Sequence, residues 1–128
     1  MDVADLVDIF QAFGPVRVKR MFGGHGVYRD TLMFALEVDG TIFLKADDSS
    51  KSLFEGAGAR PFAYARQGGR TVVMSFWSLP DAALDDPAEA ARWAELAFAA
   101  ARRAQQAKMQ RGMKPKLKPK AGAATRKN

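Results

Sequence analysis

The sequence predicts an α+β domain, an antiparallel sheet of about five to six strands flanked by an N-terminal and a C-terminal helix. Three observations predict it. Apolar residues recur at helical spacing near both ends of the chain. Short runs of strand character fill the middle, punctuated by Gly, Pro and Asp. The connections between those runs are too short for parallel crossovers, which need a dozen residues or more, so neighbouring strands must run antiparallel.

Val3, Leu6, Val7, Phe10 and Phe13 follow the i, i+3, i+4, i+7 spacing of an amphipathic helix over residues 2–13. Acidic residues at its start suit the positive end of the helix dipole, and Gly14-Pro15 stops it. Val16 and Val18 then alternate with Arg17 and Lys19, the period of a half-buried strand. The same alternation sends Arg20 to the side of the valines and Met21 opposite, which calls for a bulge or for a partner to Arg20. Val27-Tyr28-Arg29 and residues 32–38 read as strands joined at Asp30-Thr31. Asp39-Gly40 is a two-residue hairpin signal, because a type I′ turn needs positive φ at both positions, and residues 41–45 return. The run 32–36 is apolar at both parities, so that strand is expected to be central and covered on both sides.

Asp47-Asp48-Ser49-Ser50 offers capping side chains to a short helix over residues 51–57, closed by Gly58. Residues 61–64 form a strand, Gln67-Gly68-Gly69 a turn, and residues 71–77 the last strand, ended by Pro80. Asp86-Pro87-Ala88-Glu89 is a helix start, with Asp as cap, Pro first and Glu third. The helix carries Trp93, Leu96, Ala97, Ala100, Ala101 and Ala104 and should fray near residues 107–112. Residues 1–107 are therefore the folded domain. Residues 108–128 form a basic Lys/Pro/Ala tail with too little apolar surface to offset its ordering entropy, and are read as disordered.

Composition narrows the chemistry. With 128 residues, 48% hydrophobic and 27% charged, the chain has the balance of a globular protein. It has no cysteine, which excludes disulfides, thiolate metal sites and cysteine nucleophiles, and its one histidine is His25. No apolar stretch approaches the ~20 residues of a membrane span, and the acidic N-terminus does not resemble a signal peptide. A cytoplasmic location is expected. The net charge of +6 is unevenly distributed. Lys108, Arg111, Lys114, Lys116, Lys118, Lys120, Arg126 and Lys127 have no acidic neighbour after residue 107, whereas residues 1–107 carry a net charge of −2.

The densest motif is Arg20-Met21-Phe22-Gly23-Gly24-His25-Gly26. Glycine-rich phosphate loops depend on a helix N-terminus directly after the glycines, and here Val27-Tyr28 and a hairpin follow instead. The motif is expected to be a strand junction, with a ligand or partner surface as the alternative. His25 has no second histidine, cysteine or serine placed beside it by any motif and reads as an exposed loop residue, with no metal site. The pairs Asp47-Asp48 and Asp85-Asp86 precede helices and read as caps. Phe62, Tyr64, Phe76 and Trp77 could pack in the core or offer a stacking platform. Alternation places Phe76 and Trp77 on opposite faces.

The string from Arg20 through Tyr28, Met33-Phe34-Ala35-Leu36, Leu44-Lys45 with Asp47, Gly58, Pro61-Phe62 with Tyr64, Met74-Ser75-Phe76-Trp77 with Pro80, and the helix bearing Trp93 resemble the N-terminal domain of the TfoX/Sxy competence regulators. The resemblance covers roughly residues 3–105. It implies a small α+β domain and a non-enzymatic regulatory or adaptor role. The characterised regulators promote expression of DNA-uptake genes alongside the cyclic-AMP receptor protein and carry a second, C-terminal domain. A stand-alone copy of the domain followed by the basic tail is expected here.

Three functional expectations follow. The first is a regulatory or adaptor domain that binds a protein partner, transcription machinery among the options, and uses no cofactor. Its candidate surface comprises Arg20, Phe22, Gly23, Gly24, Gly26, Lys45, Tyr64 and Trp77. The second is an accessory protein holding nucleic acid through the cations from Lys108 to Lys127. The third is a small-ligand binder or enzyme at the Gly23–Gly26 corner.

Overall fold

The computed structural model describes residues 1–21, 23–65 and 71–113. In chain order the elements are α1 (Val3–Ile9), β1 (Arg17–Met21), β2 (Gly24–Arg29), β3 (Leu32–Val38), β4 (Thr41–Lys45), α2 (Lys51–Gly56), β5 (Pro61–Ala65), β6 (Thr71–Ser78), a 3-10 turn at Asp81–Ala83, and α3 (Pro87–Met113). The fold is α+β. Its sheet has six strands in the order β1-β2-β3-β4-β6-β5, with every neighbouring pair antiparallel.

Local chemistry sets most boundaries. Asp2 caps α1 by accepting from the Asp5 N–H at 2.9 Å, and Asp5 returns the bond to the Asp2 N–H at 3.0 Å. The β3–β4 turn takes φ 51° at Asp39 and 83° at Gly40, the geometry that the Asp-Gly pair predicts. Asp86 accepts from the N–H groups of Ala88 and Glu89 and starts α3. One connection is non-local. The chain crosses from β4 through α2 to β5 at the sheet edge, and β6 then returns between β5 and β4.

A bulge between β2 and β3 shapes the core. Val27 pairs with Ala35 and Tyr28 pairs with Met33, so Phe34 is an extra residue in β3. Phe34 and Ala35 are consequently both fully buried on one side. The Phe34 ring meets Phe10 edge-on at 5.4 Å, Phe13 at 5.0 Å and Phe98 of α3 at 6.5 Å. Ala90, Ala94, Ala97 and Ala101 form the buried stripe of α3, and their small side chains let the helix lie close on the strands. Phe54 of α2 packs on Trp93 of α3 at 4.8 Å. All three helices therefore share one face of the sheet.

This layering corrects one expectation. The strand β3 is central, but among the described residues helices cover only one of its faces. Its apolar residues at both parities have two origins: the bulge turns Phe34 and Ala35 inward together, while Met33, Leu36 and Val38 lie on the opposite face, only partly buried. A second difference is that α3 continues to Met113, so Lys108 and Arg111 lie on the helix beyond the boundary expected at residue 107.

Removing the ring at the bulge tests this description of the core. Phe34→Ala should cost about 3–5 kcal/mol in urea unfolding. Leu53→Ala, at a side chain 51% exposed on α2, should stay within about 0.5 kcal/mol.

Candidate functional site

The uncovered face of the sheet gathers a distinctive set of side chains. Strand register places Arg17, Lys19 and Met21 of β1 in line with Tyr28, Gly26 and Gly24 of β2. Beyond them lie Met33, Leu36 and Val38 of β3, then Thr41, Phe43 and Lys45 of β4, then Phe76 and Ser78 of β6. Met21, Met33 and Tyr28 converge above Gly26. A Cβ there would sit 2.9 Å from the Met33 Sδ, 3.0 Å from the Met21 Cε and 3.2 Å from the Tyr28 ring, so a larger residue would need these side chains to move aside. The Phe43 and Phe62 rings pack at 4.7 Å.

Cations lie among these rings. The Lys19 Nζ sits 5.5 Å from the Tyr28 ring centre and the Arg17 guanidinium 6.0 Å from it, while Lys45 lies 5.2 Å above Phe76. Met21, Tyr28, Met33, Leu36, Phe43 and Phe62 are partly exposed, and Phe76 is buried beneath its neighbours. Among the described side chains in this register, none is acidic.

The glycine corner resolves into distinct roles. Gly23 turns the chain with φ +79°. Gly24 is already in β2, and a Cβ on it would collide with the backbone carbonyl oxygen of Glu37. His25 is also in β2, not in an exposed loop as the sequence suggested. Its side chain is 13% exposed and its Nδ1 lies 2.6 Å from the Glu37 Oε1. Because a carboxylate only accepts, Nδ1 carries the proton and donates. The second Glu37 oxygen accepts from the Gly40 N–H at 2.8 Å, which ties the pair to the Asp39-Gly40 turn. Burial pushes the Glu37 carboxyl up, but the hydrogen bonds from His25 and Gly40 together outweigh it and hold the group below the ordinary glutamate range. Sequence reasoning missed Glu37. The available signal was a carboxylate two residues from Ala35 at an inward parity, one step before a hairpin turn.

Arg20 lies opposite His25 in register, yet it is exposed and has neither a bulge nor a partner among the described residues. Its direction is tolerated because β1 is an edge strand. Trp77 belongs to the covered face, where it packs against the core cluster; the open face receives Phe76 instead. The structure thus brings Gly26 and Lys45 onto the open face and keeps Arg20 and Trp77 off it. The Tyr64 backbone is in β5 and its side chain lies outside the described residues, as do Phe22, Lys114, Lys116, Lys118, Lys120, Arg126 and Lys127.

A hollow of about 420 Å³ beside Lys45 is lined by Asp47, Ser75, Arg103 and Ala107. Arg103 grips Asp47 with two hydrogen bonds of 2.7 and 3.1 Å. Those bonds, ahead of the opposing effect of burial, hold the Asp47 carboxyl below its ordinary range. Asp47 also accepts from the Ser49 N–H and the Ser50 hydroxyl in the turn before α2. The helix's own N-cap is Ser50 and has no side-chain cap bond, so the capping expected of Asp47-Asp48 is replaced by this turn. Because Ala107 lines the same hollow as Lys45, the basic end of α3, with exposed Lys108 and Arg111, leaves the domain beside the open face. A second hollow, of about 410 Å³, has none of Gly23, Gly24 and Gly26 in its lining and lies between Gly58, Arg60, Leu79, Asp81, Glu89 and Trp93.

A six-stranded antiparallel sheet with helices packed on one face defines a small α+β domain. The family model described as the TfoX N-terminal domain matches residues 8–101, and the chain belongs to that family. No curated protein matches the sequence. Among the described residues, no helix is long and apolar enough to cross a membrane.

Two measurements probe the corner. Glu37 titrates lower in the folded chain than in the unfolded one, so its stabilisation is complete above the unfolded value of about 4.3 and is lost as pH falls through the folded value. The urea midpoint should therefore drop on acidification from about pH 5 to pH 3, and less steeply in Glu37→Gln, where the remaining slope belongs to Asp47 and other carboxylates. Gly24→Ala should cost about 1–3 kcal/mol more than a volume-tolerant substitution, because its obstacle is backbone.

Proposed function

We propose that this protein is a non-enzymatic regulatory or adaptor domain that works by docking the open face of its sheet on a macromolecular partner. The observation that carries this reading is the one-sided layering. Met21, Tyr28, Met33, Leu36, Phe43 and Phe62 are neighbours on this face and each is partly exposed, so apolar groups lie together there instead of singly, the character of an interaction surface. Family membership supports the regulatory part, since the regulators that this chain resembles control DNA-uptake genes through other macromolecules. His25 and Glu37 are read as a polar tie between β2 and the β3–β4 turn. The bond from the Gly40 N–H to Glu37 fixes the hairpin.

Site-specific photocrosslinking in cells that express the protein checks this. A benzophenone side chain at Leu36 or Phe43 should yield covalent adducts, while the same group at Arg102, exposed on α3, should yield few. Equal adducts at all three positions, or adducts only at Arg102, would overturn the reading.

A further inference from the structure

Resting on that reading of the open face, we propose that its partner is single-stranded nucleic acid, with the basic end of α3 extending the same track. The sign of the charge is the first argument. Residues 1–107 carry a net charge of −2, yet the open face holds Arg17, Lys19 and Lys45 and no acidic side chain in register among the described residues. The face that the described helices leave uncovered is thus locally cationic although the domain as a whole is not. A strongly anionic partner is favoured.

The second argument is the interleaving of those cations with rings. Tyr28, Phe43 and Phe62 are partly exposed, and two of the three cations stand within 6.0 Å of the Tyr28 ring centre. Tyr28 and Phe43 lie on strands separated only by β3, roughly 10 Å apart across the sheet. Unpaired bases can stack on such rings while the cations meet the phosphates. A duplex keeps its bases stacked internally, so a flat sheet face reaches only its backbone.

The third argument is continuity. Lys45 shares its hollow with Ala107, next to Lys108, and the sequence from there to its end adds cations without a single acidic residue. Asp47 and Asp48, the nearest carboxylates, are engaged by Arg103 and by Lys51 at 3.4 Å. Self-docking fits poorly on the same grounds. A second copy would bring identical cations to this face, and the chain's own tail is also basic.

Fluorescence anisotropy with the full-length protein tests this. The probes are labelled fifteen-nucleotide oligo(dT) and oligo(rU) and a duplex of equal length, across a salt series, with poly-glutamate and phosphatidylserine vesicles as anions that lack bases. Oligonucleotide binding should weaken about tenfold in the Phe43→Ala/Phe62→Ala variant, with duplex binding little changed. Lys19→Ala and Lys45→Ala should each lower the salt slope by about 0.7 for every phosphate that the side chain neutralises. Lys19→Glu, on the exposed edge strand, gives an independent reading if an aromatic variant unfolds.

Oligonucleotide binding that survives all these changes would overturn the proposal and assign the affinity to the tail. Equal displacement by poly-glutamate, or binding to vesicles alone, would overturn it in favour of an acidic protein or a lipid surface. If no oligonucleotide binds at low salt while crosslinking still marks Phe43, the nucleic-acid assignment fails and the docking face stands. Loss of both removes the docking face itself.

Discussion

Phe34 is inserted into β3 where Val27 pairs with Ala35 and Tyr28 pairs with Met33, and the extra residue turns two consecutive side chains toward the helices. Much of the remaining structure depends on that insertion. It provides the aromatic ring that Phe10 and Phe13 grip from the N-terminal segment and Phe98 grips from α3, joining distant parts of the chain at one point. The alanine stripe of α3 can then lie flat beside it. With Phe34 inward, Met33 and Leu36 fall on the other face, which is why apolar surface remains on the side that the described helices do not cover.

Features written in short stretches of sequence were legible. The Asp86 cap, the Asp39-Gly40 turn and the alanine-rich helix each depend on residues within a few positions, and their physics is the same in any fold. Features that depend on register were not. A continuous apolar run cannot announce a bulge, so residues 32–36 read as a strand buried on both sides. The placement of β6 beside β4 depends on α2 carrying the chain to the far edge, and no local signal encodes that crossing. His25 reads as exposed because its neighbours are glycines; its partner Glu37 emerges only when β2 and β3 are aligned.

The candidate site was legible in the same uneven way. Gly24 and Gly26 are recognisable in sequence as positions needing close approach, but the reasons differ: a backbone carbonyl crowds one, and two methionines and a tyrosine crowd the other. Lys45 reads as a surface residue and does lie on the open face. Arg17, Lys19, Tyr28 and Phe43 carry no such signal, since in sequence they are ordinary strand residues and only the sheet assembles them.

A protein that leaves one face of its sheet without helices must keep that face from pairing with copies of itself. Large uncovered apolar areas promote association, and charges placed among them prevent it. Arg17, Lys19 and Lys45 meet that requirement here, because two such faces brought together would oppose like charges. On the proposed reading, the same residues bear on what the face can accept. A neutral apolar partner would have to desolvate them, at a cost that hydrophobic burial must first overcome, whereas an anionic partner with flat apolar groups meets both the cations and the rings. On the proposed reading of the open face, the charges that oppose its self-association are also the ones that favour an anionic partner.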